Sequence, residues 1–237
     1  MYYGYGYRYI DPTMILILIG VVISMLASAR VNGTFSKYSR VRSKTGMTGA
    51  EAARRLLQSQ GIYDVTVQPV SGRLTDHYDP RTKTLRLSQA VYDQTSVAAI
   101  GVAAHECGHA IQDYKEYVPL KLRGAIVPVV NIGQQISWPL ILIGMLFGGL
   151  GSPLVEIGIL CFSFAVLFQL VTLPVEFNAS SRALKLLDST GILAEDELGM
   201  TRKVLGAAAM TYVAGAISSI LQLLRLVILF GGRRDDD

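Results

Sequence analysis

The chain has 237 residues, 51% of them hydrophobic and 17% charged, with a positive mean hydropathy of +0.38. This is more apolar material than one soluble core of this size consumes, so part of it is expected to face lipid. The net charge of +4 does not point to a nucleic-acid partner, because the Lys and Arg residues are scattered among apolar runs; the two cysteines, Cys107 and Cys161, exclude a disulfide framework without fixing a compartment.

In chain order, a Tyr-rich start precedes an apolar run at residues 14–29, which Arg30, Lys37, Arg40, Arg42 and Lys44 follow. A signal peptide carries its positive charges before the apolar stretch, so residues 1–30 read as a retained transmembrane anchor with the N-terminus outside. Residues 31–123 have the composition of a soluble domain. Thr48 with Glu51 predicts a capping box opening a helix that Gly61 closes. Residues 63–70 alternate as a strand does, and LTDHYDPRTKTLRLS predicts two strands joined at Asp79 and Pro80, with Leu85 and Leu87 on one face. Ser88, Thr95 and Ser96 are helix-start candidates, the last two leading into SVAAIGVAAHECGHAIQDY.

Residues 124–146 and 154–173 are almost uninterruptedly apolar and are separated by GGLGSP, which predicts a membrane hairpin within residues 124–173. Its turn lacks Lys and Arg, whereas Lys115, Lys121 and Arg123 precede the hairpin and Arg182 and Lys185 follow it. The positive-inside rule therefore puts the turn outside and both polar blocks in the cytoplasm. Pro128, Asn131, Gln134 and Gln135 in the first hairpin helix are expected to turn toward protein or a wet cavity. Residues 174–206 form a second cytoplasmic block, broken at Thr190 and Gly191, with Pro174 able to start a helix whose first turn carries Glu176. In the last segment, 207–237, the apolar run at 207–230 is either a fourth span, with Arg225 snorkelling to its outer end, or an interfacial helix. The expected fold is thus an α+β membrane protein, mostly helical, with a small β-sheet and about four transmembrane helices.

The chemistry is carried by His105-Glu106-Cys107-Gly108-His109, an H-E-x-x-H pattern inside an apolar helix. Two His one turn apart suit a tetrahedral metal, and two of the chain's three His lie here, where an unpartnered imidazole pair would be costly to desolvate. Glu106 follows His105 by roughly 100° of helical rotation, beside a metal-activated water instead of on the metal. Cys107 points away and packs, while Gly108 lets a neighbouring element approach. A catalytic zinc needs a third ligand, for which His77, Asp79, Asp113, Glu116 and Glu176 are candidates; Glu176 could equally be a helix N-terminal charge.

The segments LTDHYDPRTKTLRLS, AAHECGHAIQD and LPVEFNASSRAL, in this order and with membrane helices between the last two, resemble the YugP-like bacterial membrane zinc metallopeptidase family, and more distantly the HtpX and CAAX prenyl-protease clan. The resemblance implies a zincin-like, gluzincin-type active helix in a bacterial plasma-membrane protein, with the active site on the cytoplasmic side. It further implies Zn2+ on His105, His109 and Glu176, Glu106 as general base, and a protein or peptide substrate. In the HtpX type an Asp follows the third ligand by four residues, whereas Ser180 stands here. By the same analogy the strand at residues 84–88 would be the edge that pairs with substrate. His77 and Tyr78 are candidate oxyanion donors, the alternative being ordinary hairpin structure with His77 paired to Asp76 and Asp79, and Arg182 is a further candidate. The other readings are a membrane scaffold with a structural zinc of closed coordination, and a transporter, for which four spans without a repeated half are few.

Overall fold

The computed structural model describes residues 11–72, 74–149 and 152–230. The Tyr-rich start, the last residues and the middle of the hairpin turn lie outside them. Six helices and three strands follow in the order α1 (Met14–Tyr38), α2 (Gly49–Ser59), β1 (Thr66–Val70), β2 (His77–Asp79), β3 (Thr84–Ser88), α3 (Val97–Tyr114), α4 (Val118–Gly148), α5 (Pro153–Ser189) and α6 (Glu195–Phe230). The chain is mostly helical, and α1, α4, α5 and α6 are each long and apolar enough to cross a membrane.

Local signals place the small elements. Thr48 Oγ1 accepts from the Glu51 amide at 3.2 Å and Glu51 returns to the Thr48 amide at 2.8 Å, the reciprocal cap that starts α2. Ser96 Oγ accepts from the Ala99 amide at 3.2 Å and so opens α3. The sheet runs β1-β3-β2, β1 parallel and β2 antiparallel to β3. Leu85 and Leu87 do share a buried face, packed with Leu56, Leu57, Ile100 and Ile111 in the core around α3. Residues 84–88, however, form the central strand. Both ladders of β3 are used, so the free edges belong to β1 and β2, and the expected substrate edge is corrected accordingly.

The long helices run through the composition changes. α1 continues past Arg30 to Tyr38, and α6 spans its polar and apolar halves without interruption. Pro174 does not start a helix; it lies inside α5, so Glu176 projects from the middle of a continuous 37-residue rod. In α4, Asn131, Gln134 and Gln135 lie on the exposed face, contrary to the inward orientation expected of them, while Ser137 turns in and donates to the Gly158 carbonyl of α5 at 2.9 Å. Arg225 does not snorkel free: its guanidinium meets Asp11 at 2.8 Å, joining the start of α1 to the last turns of α6. The two helices are also joined by Ser24 and Ser218, 3.0 Å apart, and by Ser218 Oγ on the Gly20 carbonyl.

Candidate metal centre

Helix α3 is the platform of the site, because small residues let its neighbours approach. A Cβ at Gly108 would stand 2.5 Å from the Ala179 carbonyl oxygen, so only glycine permits α5 to lie this close. On another face, buried Cys107 reaches the Ala53 carbonyl of α2 at 3.5 Å, and burial raises its thiol pKa well above the ordinary value. This is the packing role expected of it; Cys107 is no part of the candidate cluster.

The close approach of α5 brings Glu176 against the two imidazoles. Its Oε2 lies 3.2 Å from His105 Nε2 and 3.6 Å from His109 Nε2, and the rings meet edge to face with centroids 4.8 Å apart. At zinc–ligand distances of about 2.0–2.1 Å, two tetrahedral ligands stand roughly 3.3 Å apart, so these separations fit one ion between the three groups. The other ring nitrogens are engaged. His105 Nδ1 meets Ser180 Oγ at 3.1 Å and His109 Nδ1 meets Gln112 Oε1 at 3.0 Å. With Nδ1–H donating to those oxygens, each Nε2 lone pair points to the shared space, as a metal ligand requires. Burial disfavours the His109 cation, but the Glu176 bond, the Glu106 charge and Gln112 outweigh it and raise the imidazole pKa above its ordinary value. The cluster thus already attracts positive charge.

Oε1 of Glu176 is held separately by Arg123 Nη1 at 3.1 Å, which leaves one carboxylate oxygen for the imidazoles. Gln112, fully buried, donates to the Val175 carbonyl at 2.8 Å and to Asn178 Oδ1 at 3.0 Å, tying α3 to α5 on both sides of Glu176. Glu106 is 7% exposed and makes no hydrogen bond or ion pair among the described residues; it lines a cavity of about 430 Å3 together with His109, Glu176, Arg123, Tyr212 and the β2 residues His77 and Tyr78. A buried carboxylate without a hydrogen-bonding partner thus faces the cleft.

The remaining sequence candidates fall as follows. Tyr78 donates to Asp113 Oδ2 at 2.8 Å, which also meets Lys83 at 2.7 Å; burial and the Asp113 carboxylate raise the phenol pKa far above its usual value. His77 is exposed, with Nδ1 on the Thr75 carbonyl and Nε2 facing Arg86, and pairs with neither flanking acid. Asp76 binds the Ser88 amide and hydroxyl, and Asp79, its carboxyl pushed down to about 2 by Thr82 and the Arg81 amide above all, meets Arg86. Glu116 pairs with Lys121 at 3.0 Å. Arg182 is spent on Asn178 and the face of Tyr117. Only His105, His109 and Glu176 converge on a metal-sized space among the described residues. Ser180, Gln112, Arg123 and Tyr212 were not assigned roles from sequence; Tyr212, on α6, lines the same cavity as Glu176. The position four after Glu176 could have pointed to Ser180, whose hydroxyl does what an Asp would do there.

Residues 13–231 match the family described as "Putative neutral zinc metallopeptidase". The chain is also 50% identical over 215 residues to the "Putative membrane protease YugP" of Bacillus subtilis (strain 168), covering 91% of this chain and 95% of that protein. No solved structure matches it. With a family match over nearly its whole length and a relative of this identity, the chain belongs to the YugP-like family of neutral zinc metallopeptidases.

Proposed function

We propose that the chain is a membrane-embedded zinc endopeptidase hydrolysing peptide bonds of membrane-associated or unfolded proteins. The observation that carries this reading is the convergence of His105 Nε2, His109 Nε2 and Glu176 Oε2 beside the unpartnered carboxylate of Glu106. His105, His109 and Glu176 would hold a zinc ion, which when bound would supply Lewis acidity toward a water and a carbonyl. Glu106 accepts the proton of the water as it adds to the scissile carbon, then returns it to the leaving amine as the C–N bond breaks, with no acyl-enzyme. Ser180 and Gln112 hold the imidazole tautomers, and Arg123 holds Glu176.

The substrate backbone would lie along β2, the edge strand whose His77 and Tyr78 line the cleft. Both were candidate oxyanion donors, but Tyr78 gives its hydroxyl hydrogen to Asp113 and His77 has both ring nitrogens engaged. Tyr212, which lines the same cleft with Glu106, is a further candidate donor. The cluster holds three donor residues and no fourth among those described, which favours an open catalytic position over the closed shell of a structural scaffold.

The site belongs at a membrane surface. From Pro153 to Glu176, α5 rises about 34 Å at roughly 1.5 Å per residue, slightly more than the roughly 30 Å of hydrocarbon in a bilayer. With the hairpin turn outside, the cleft opens at the cytoplasmic face of the bacterial plasma membrane, where the Lys and Arg residues of both polar blocks lie. Metal analysis of detergent-purified protein, together with cleavage of a generic unfolded protein, tests the reading. Wild type is expected to hold about one zinc per chain and to cut; Glu176→Ala is expected to lose both. A variant that keeps its metal and its activity would overturn the assignment.

A further inference from the structure

A second feature lies on the α1–α6 seam, outside the metal centre. Arg30 and Lys37 of α1 and Arg202 and Lys203 of α6 line one cavity of about 430 Å3, and no Asp or Glu lines it. All four are exposed, and none forms an ion pair among the described residues, although Lys44, Lys83, Arg86, Lys121, Arg123 and Arg225 each have an acidic partner. Asp188 shares a separate small cavity with Arg202 and Lys185, again without an ion pair. Four like charges held around one space without a counter-ion repel one another, and an anion in the space relieves that repulsion.

The depth of the cavity says which anion. Arg30 is the first charge after the apolar run of α1, and Arg202 and Lys203 stand just before the apolar run of α6. The antiparallel contacts Ser24 to Ser218 and Asp11 to Arg225 bring these polar ends to the same side. Both helices are long and apolar enough to span, so the cavity sits where they leave the hydrocarbon, at headgroup level. Space is available, because Gly33 and Gly206 line the cavity and a Cβ on either would meet nothing within 4 Å. Further along the same pair, a groove bordered by Ile17, Val21 and Met25 offers an acyl chain an apolar path.

We infer that this cavity binds the phosphate headgroup of an anionic glycerophospholipid at the α1–α6 seam. Basic cavities between helices at a membrane surface recognise such headgroups, each Lys or Arg contributing roughly fivefold in binding. The inference is independent of the metal centre and of catalysis.

Native mass spectrometry of the detergent-solubilised full chain tests it, with phosphatidylglycerol, phosphatidylcholine and inorganic phosphate as separate titrants. Wild type is expected to take up phosphatidylglycerol saturably at one per chain, at least roughly tenfold more tightly than phosphatidylcholine, with inorganic phosphate failing to displace it. The double variant Arg202→Gln/Lys203→Gln should lose roughly tenfold or more, whereas Arg55→Gln/Lys115→Gln, changing exposed cations elsewhere, should not. Gly206→Leu fills the cavity without altering charge at an exposed helical position that favours leucine over glycine; it should weaken the lipid and leave the helical circular dichroism intact. Undiminished phosphatidylglycerol binding by both cavity variants, or equal binding of phosphatidylcholine by wild type, would sink the inference. Displacement by equimolar inorganic phosphate would also overturn it, by making the site one for a free anion.

Discussion

On the proposed mechanism, Glu106 and the candidate ligands around it divide chemistry from binding, and single substitutions should separate the two. Glu106 points at the cleft with no partner to lose, so Glu106→Gln preserves shape and leaves the donor cluster untouched. It is expected to keep its zinc and fold while turnover falls about 10²- to 10⁴-fold, the usual worth of a general base; rates near wild type in a metal-loaded Gln variant would remove the base from this position. Gln112 tests the opposite property. Gln112→Leu removes the acceptor for His109 Nδ1 and both donors that tie α3 to α5. Metal affinity should drop roughly 10- to 100-fold as the ring loses its fixed tautomer, measured by competition with a chelator; unchanged affinity would deny Gln112 that part. At this scale the sequence was legible wherever chemistry is local. His105, Glu106 and His109 are neighbours on one helical turn, so spacing alone describes their geometry. Arg123 and Tyr212 matter only through where different helices meet, and nothing in their immediate sequence carries that information, whereas Ser180 and Gln112 stand four and three residues after a ligand on its own helix.

At the scale of elements, the metal centre depends on how near α5 comes to α3. Gly108 sets that distance, since any Cβ there would meet the Ala179 carbonyl at 2.5 Å. Gly108→Ala keeps all three ligands yet forces the helices apart or distorts their packing, costing about 1–3 kcal/mol as overpacking does. Zinc content should fall together with the unfolding temperature, and wild-type values of both would mean that the approach is not tight. The expected glycine role came from its place inside the motif; the identity of the approaching helix did not. The caps were also readable, because the Thr48 and Ser96 signals act within one turn. Strand order was not. Period-two patterning showed Leu85 and Leu87 to be on one buried face, but the parallel partner β1 comes from beyond the hairpin, and that pairing makes β3 central. Pro174 misled for a related reason: a proline forfeits one helical hydrogen bond, and a long helix packed along its length by α4, α3 and α6 can absorb that loss.

For the molecule as a whole, four long helices and a site built on α3 and α5 imply a definite arrangement about the bilayer. The ends of α1, α5 and α6 nearest the site carry Arg30, Lys37, Arg182, Lys185, Arg202 and Lys203, whereas the described part of the turn between α4 and α5 carries no Lys or Arg. Composition made the spans readable, because apolar length against bilayer thickness is a one-dimensional property; their lateral order, with α1 against α6 and α4 against α5, became visible only in three dimensions. The proposed orientation rests on this charge asymmetry. In a background with Cys161→Ala, where the remaining Cys107 is buried, a cysteine at Phe147 beside the turn should react with a membrane-impermeant maleimide on intact cells. A cysteine at exposed Ser59, on the side of the metal centre, should react only after the membrane is opened. The reverse pattern would put the cleft outside the cell, and with it the class of proteins the enzyme could reach.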